Sequence, residues 1–278
     1  MPVRSLDHHV PGPPRLVAGV LREAAPAAAA VTRAGARLEV PTRLLVAGDE
    51  VEIVLAGGLL RCRARITRAG TTGLVSGLAA GPVAALRHAT VLAPSGSGTA
   101  VRDELSWTPP LGPPGRLSDP VLGRFARRLL DARRDALAAR TAELVTAPAV
   151  VGAAMVRDGR VLVAQRSYPA ELAGRWELPG GGVEAGETGP EALARECREE
   201  LGAGVRVGGR VGTDLPIGRR VLRVYRADLE PGSPEPVARE HRALCWAGPR
   251  EIATLAWLDA DRAVVAELLD LLRRRPSV

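Results

Sequence analysis

Along residues 1–93, apolar and polar positions alternate in short runs separated by glycine and aspartate. Arg37-Leu38-Glu39-Val40 and Val51-Glu52-Ile53-Val54-Leu55 flank the turn signal Gly48-Asp49. Period-two alternation puts every second side chain on one face, so these runs predict half-buried strands. After Gly57-Gly58, the run Arg61-Cys62-Arg63-Ala64-Arg65-Ile66 predicts a strand with an arginine-lined face. That face is either the solvated side of a small β-barrel or a surface for anions or nucleic acid. Pro94-Ser95-Gly96-Ser97-Gly98 and Pro109-Pro110-Leu111-Gly112-Pro113-Pro114-Gly115 have linker composition. The pattern then becomes helical from Ser118, with Ser118 or Asp119 as N-cap and Pro120 in the first turn. Leu122, Phe125, Leu129 and Leu137 line one side, and Arg124, Arg127, Arg128, Arg133 and Arg134 fall largely elsewhere. This basic amphipathic helix is either a connector packed between two halves or a contact for nucleic acid.

Beyond Pro148 the apolar runs Ala149–Val156 and Val161–Ala164 hinge at Asp158-Gly159, which predicts a β-hairpin. The glycine-rich stretch Trp176-Glu177-Leu178-Pro179-Gly180-Gly181-Gly182 leads through Glu187 into a second helix. Thr188 and Glu191 have capping-box spacing, Pro190 lies in the first turn, and Gly202 marks the end. Leu193, Cys197 and Leu201 make an apolar stripe at four-residue spacing. Beside it Glu196, Glu199 and Glu200 span an arc of only ~100°. Carboxylates so crowded repel one another unless a cation neutralises them. A hard divalent ion such as Mg²⁺ suits an all-oxygen set and completes its shell with water and phosphate.

Composition adds bounds. With 278 residues, 46% hydrophobic and 25% charged, the chain is long enough for two soluble domains. Its net charge of +7 comes entirely from arginine, since there is no lysine, and would suit nucleotide phosphates or nucleic acid. Cys62, Cys197 and Cys245 have neither zinc-site nor disulfide spacing. His8, His9, His88 and His241 show no ligand spacing and receive no catalytic role. No apolar signal core opens the sequence and no run is long enough to span a bilayer, so the expectation is a cytoplasmic protein with no membrane partner.

Gly181, five residues, Glu187, seven residues, then Arg195-Glu196-Cys197-Arg198-Glu199-Glu200-Leu201-Gly202-Ala203 resembles the Nudix signature, with small residues, Cys197 and Ala203, at its two bulky apolar positions. The resemblance implies an α/β/α sandwich with a mixed sheet over residues 146–275 and hydrolysis of a nucleoside diphosphate derivative. It implies Mg²⁺, with Mn²⁺ as a substitute, held by Glu196, Glu199, Glu200 and the Gly180 carbonyl. Glu196 would also activate water, while Glu187 and Arg195 would hold loop and helix together. The stretches Glu171–Gly181 and Glu240–Trp246 are similar to the MutT-type branch acting on CTP, dCTP and modified or oxidised nucleotides. That similarity implies Glu240 as a further metal ligand, and Arg166, Glu177, Tyr225 and Asp261 as substrate residues, Arg166 meeting phosphate and Asp261 an amino-bearing base. Asp261 reads equally as a helix-start acid, and Tyr225, Trp176 and Trp246 as core residues.

The expected organisation is therefore a small β-rich domain of unassigned role at 1–100, a proline-rich linker and basic helix at 101–145, and the Nudix domain at 146–278. Two other readings remain open on sequence alone. One is a nucleotide-sensing regulator whose N-terminal half binds nucleic acid or an effector; the other is an enzyme acting on ADP-ribose, a nucleotide sugar or a dinucleotide. Oligomeric state is not legible.

Overall fold

The computed structural model describes residues 1–110 and 113–273, so Leu111 and Gly112 of the proline-rich stretch and residues 274–278 of the expected C-terminal domain lie outside the described residues. The chain divides into two compact units, Met1–Thr146 and Ala147–Val278.

In the N-terminal unit β1 (Val3–Val10) is followed by α1 (Pro14–Leu21) and α2 (Ala24–Arg33). Then come β2 (Arg37–Glu39), β3 (Glu50–Leu55), β4 (Leu60–Gly70), β5 (Gly73–Ala80), β6 (Ala85–Ser95) and β7 (Gly98–Thr108). The long α3 (Asp119–Leu144) closes the unit. Successive antiparallel hairpins give the order β1-β7-β6-β5-β4-β3-β2, a curled half-barrel sheet. The alternation on β4 is as read: Cys62, Ala64 and Ile66 are buried, and the arginines point outward. Those arginines meet acids of β3, Arg63 at 3.6 Å and Arg65 at 2.7 Å from Glu50, with Arg61 on Glu52. Exposed pairs of this kind stabilise little, but they neutralise the face locally.

Four local expectations come out differently. The stretch at 94–98 is a two-residue turn: Ser95 pairs with Gly98, and Gly96 takes φ 55, the left-handed conformation that such hairpins require. Strand β7 consequently runs through position 100, where a boundary was expected. Helix α3 belongs to the first unit, burying Ala126, Leu129 and Leu130 with Val31 of α2 and Leu105 and Trp107 of β7. Arg133, counted on the basic face, turns inward because the buried Asp103 on β7 needs a counter-charge (3.0 Å).

The second unit comprises β8 (Ala149–Arg157), β9 (Arg160–Gln165), β10 (Trp176–Glu177), α4 (Gly189–Leu201), β11 (Val205–Ile217), β12 (Arg220–Leu229) and β13 (Ala243–Ala247). Short α5 (Pro249–Ile252) and α6 (Asp259–Arg262) precede α7 (Val265–Arg273). The hairpin at Asp158-Gly159 forms with both residues at positive φ, 50 and 69. The sheet is mixed, β12 lying parallel to β8 and the other pairs antiparallel, in the order β10-β9-β8-β12-β11 with β13 also on β9. Helix α4 packs on Val151, Ala153, Met155 and Tyr225, and α7 packs along β8 and β9, which gives the sandwich. Cys197 and Ala203 are wholly buried in that core, so their small size is a packing feature of the α4 layer.

Candidate active site

Helix α4 is set at both ends by its own residues. The Thr188 hydroxyl accepts from the Glu191 N–H, and the Glu191 carboxylate accepts from the Thr188 N–H at 2.8 Å. Gly202 closes the helix in the left-handed region at φ 66. With Leu193, Cys197 and Leu201 fully buried, the glutamates beside that stripe are held at the edge of the core.

The preceding loop lies along β8. Ala153 donates to the Pro179 carbonyl and Val151 to the Gly181 carbonyl, both at 2.8 Å, while Val183 donates to Ala149 at 3.0 Å. Gly180 has φ 146, and a Cβ there would lie 2.1 Å from the Val151 carbonyl oxygen. A Cβ on Gly181 would lie 2.3 Å from a Glu196 carboxylate oxygen. These two glycines are what lets loop and helix carboxylates meet.

Arg195 joins the parts. Its Nε and Nη2 donate to the two oxygens of Glu187 at 2.8 and 3.0 Å, and Nη2 also donates to the Gly182 carbonyl at 2.9 Å. Its Nη1 reaches Glu199 at 3.0 Å and Glu196 at 3.1 Å. Pairing with Arg195 holds Glu187 below the usual carboxylate range. Glu196 moves the other way, raised first by burial and then, against the pull of Arg195, by the charges of Glu199 and Glu240. Burial pushes Glu200 up to about 7, with Glu196 and Glu177 adding repulsion, although the Gly180 N–H donates to it at 3.1 Å. Glu240 is exposed, and its backbone carbonyl accepts from the Ser167 hydroxyl at 2.7 Å.

Among the described residues no three His, Cys, Asp or Glu side chains close into a metal-holding cluster. Glu199 is folded onto Arg195, and Glu200 onto the Gly180 N–H. The donors nevertheless fit Mg²⁺ in kind. All are oxygens, Glu196 and Glu200 are raised first by burial and then by neighbouring carboxylates, and the Gly180 carbonyl takes no hydrogen bond among the described residues.

A second group adjoins the first. Glu177 pairs with Arg166, and His241 Nε2 lies 3.5 Å from its other oxygen. His241 also acts electrostatically on Glu200, and its Nδ1 is buried with no hydrogen-bond partner. Asp261 is buried and accepts from the Leu178 N–H at 3.0 Å. Burial, reinforced by the charge of Glu177, raises its carboxyl to about 7. Glu177, Arg166 and Asp261 are thus brought together, but the Arg166 guanidinium is engaged by Glu177 and by the Tyr168 carbonyl at 2.8 Å. Tyr225 stands apart from this group: its ring is in the core under α4 with Arg210 over it at 4.9 Å, because its place on β12 turns it to the α4 side. His241, which received no role from the sequence, is placed beside Glu177 and Glu200 by the fold.

The NUDIX domain profile matches residues 146–269. A putative 8-oxo-dGTP diphosphatase 2 of Mycobacterium tuberculosis is 55% identical over 123 residues, which are 43% of this chain and 86% of the relative. The CTP pyrophosphohydrolase of Escherichia coli is 35% identical over 129 residues, 46% of this chain and 96% of the relative. The solution structure of the E. coli ORF135 protein, 34% identical, covers 47% of this chain and 94% of its own with a TM-score of 0.41. With a complete glycine-loop and glutamate-helix assembly and relatives matched over nearly their whole lengths, this chain belongs to the Nudix hydrolase family.

Proposed function

We propose that the C-terminal unit is a Mg²⁺-dependent nucleoside triphosphate pyrophosphohydrolase, with CTP, dCTP or an oxidised deoxynucleoside triphosphate as substrate. Products are the nucleoside monophosphate and pyrophosphate. The names of the M. tuberculosis and E. coli relatives support this substrate class. The observation that carries the reaction type is the single arginine, Arg195, that ties Glu187, the Gly182 carbonyl, Glu196 and Glu199 into one assembly.

In the hydrolysis a water oxygen bonds to phosphorus as the bridging P–O bond breaks, and one proton is released. Bound Mg²⁺ would be held by Glu196, Glu199, Glu200 and the Gly180 carbonyl, with Glu240 at the rim, and would offset phosphate charge and acidify the attacking water. Glu196 accepts the water proton. Arg195 and Glu187 keep its carboxylate against the loop, a positioning role worth orders of magnitude in rate when lost. Asp261 offers an acceptor to an exocyclic amine through the oxygen not engaged by Leu178. Glu177, steadied by Arg166 and His241, adjoins Asp261.

The test is a panel of CTP, dCTP, 8-oxo-dGTP, ADP-ribose and a dinucleotide, assayed for pyrophosphate and monophosphate with Mg²⁺. A triphosphate is expected to be the best substrate, and Glu199→Gln and Glu200→Gln to lose about 10²-fold or more in kcat. Faster turnover of ADP-ribose, or unchanged activity in both variants, contradicts the proposal.

A further inference from the structure

The N-terminal unit encloses a cavity of about 170 Å³ between its sheet and helices α2 and α3. Val31 of α2, Ile53 of β3, Ile66 of β4, Leu105 of β7, and Phe125 and Leu129 of α3 supply its walls. Packed interiors leave few voids larger than a water molecule, because the lining of an empty space forfeits contacts. Water does not suit such walls, since a buried water needs two to four polar partners. A dry apolar cavity of about 150 Å³ takes up benzene, so this one is at least large enough for an aromatic ring. Leu60 and Pro82 line it and are themselves exposed, which places its mouth at the β3–β4 and β5–β6 turns.

Polar atoms enter at one pole. Ser76 and His88 are cross-strand partners on β5 and β6, and Arg133 reaches the same region from α3. All of this is organised around the buried Asp103, which meets His88 at 2.7 Å, the Thr90 hydroxyl at 2.8 Å and Arg133 Nε at 3.0 Å. Asp103 is thereby engaged on both oxygens, and the donor the pole has left to offer a guest is on Arg133. Arg133 uses Nε on Asp103 and Nη2 on Thr90, and its Nη1 has no partner among the described residues. The Trp107 indole N–H in the cavity wall is engaged elsewhere, by Asp119 at 3.0 Å.

We infer that the N-terminal unit is a receptor for a small apolar molecule bearing one accepting oxygen, a carboxylate in its simplest form, with the apolar body among the walls and the oxygen at Arg133 Nη1. The site lies wholly within the first unit and makes no use of the hydrolase residues. It gives residues 1–146 a chemical role.

The full chain is titrated with N-phenyl-1-naphthylamine, whose fluorescence rises in apolar surroundings, and the probe is then competed with octanoate or octyltrimethylammonium. Expected are saturable binding of one probe per chain and displacement by octanoate at least tenfold more effective than by the cation of equal tail length. Ala27→Phe, which projects a ring into the void from α2, is expected to weaken probe binding at least tenfold with an unchanged circular dichroism spectrum. Ala64→Phe fills the void from β4 and serves if the first variant does not fold. Absence of saturable binding, equal displacement by the two surfactants, or undiminished binding in a folded filled-cavity variant each overturns the inference.

Discussion

Asp261→Asn tests the site through a pH signature that no exposed carboxylate would produce. Asp261 is buried, accepts one hydrogen bond from the Leu178 N–H, and is raised from 3.8 to about 7 by burial and by the charge of Glu177. Between roughly pH 4 and 7 the folded chain therefore keeps a proton that the unfolded chain has released, so folding stability falls as pH rises through that window. The gap, at about 1.4 kcal/mol per pH unit, sets an upper limit of about 4 kcal/mol, complete above pH 7 where the folded state must bury the charge. Asn keeps an acceptor for Leu178 and never ionises. Relative to the parent, the variant is expected to match it near pH 4, to gain stability steadily from pH 4 to 7, and to plateau above that. Urea unfolding at pH 4.5, 6 and 8, followed by the fluorescence of Trp176, Trp246 and Trp257 in the second unit, measures this. A stability difference that does not change with pH refutes the reasoning, because it would mean that Asp261 titrates alike folded and unfolded. The same variant assayed with CTP reports whether the carboxylate also contributes to base selection.

Further outcomes follow from the loop and the metal site. In Gly181→Ala the new Cβ would fall 2.3 Å from the Glu196 carboxylate. Displacing that group by about 1 Å is expected to lower kcat about 10²-fold with KM within about twofold, measured by steady-state pyrophosphate release. Gly180→Ala places a Cβ 2.1 Å from the Val151 carbonyl at a φ of 146, so thermal unfolding should show a loss of about 1–3 kcal/mol, or more if the loop detaches from β8. Chelation of divalent ions should abolish turnover and added Mg²⁺ restore it, with Mn²⁺ substituting; full activity in chelator would contradict the oxygen-donor reading of Glu196, Glu199, Glu200 and Gly180.

Much of the catalytic assembly was legible because its information is local. The capping box of Thr188 and Glu191, the Leu193-Cys197-Leu201 stripe and the turn at Asp158-Gly159 are decided by residues within a few positions of each other, where backbone geometry dictates who meets whom. The same holds for β4, whose alternation survives folding intact. Locality also explains the errors. Glycine and proline at 94–98 mark a break equally well as a linker or a hairpin turn, and only strand pairing between Ser95 and Gly98 chooses. Arg133 looked like part of a solvated basic face until a carboxylate thirty residues earlier claimed it.

By itself, then, the sequence determined the local geometry of the candidate site: a glycine loop, a capped helix and three glutamates at fixed spacing permit one local arrangement. Tertiary structure decided the rest. It set His241 against Glu177, buried Asp261 beside Leu178, turned Tyr225 into the core, and walled a cavity with side chains drawn from two helices and several strands. Those choices depend on burial and on charges brought together from distant positions, and neither quantity exists until the chain has closed on itself.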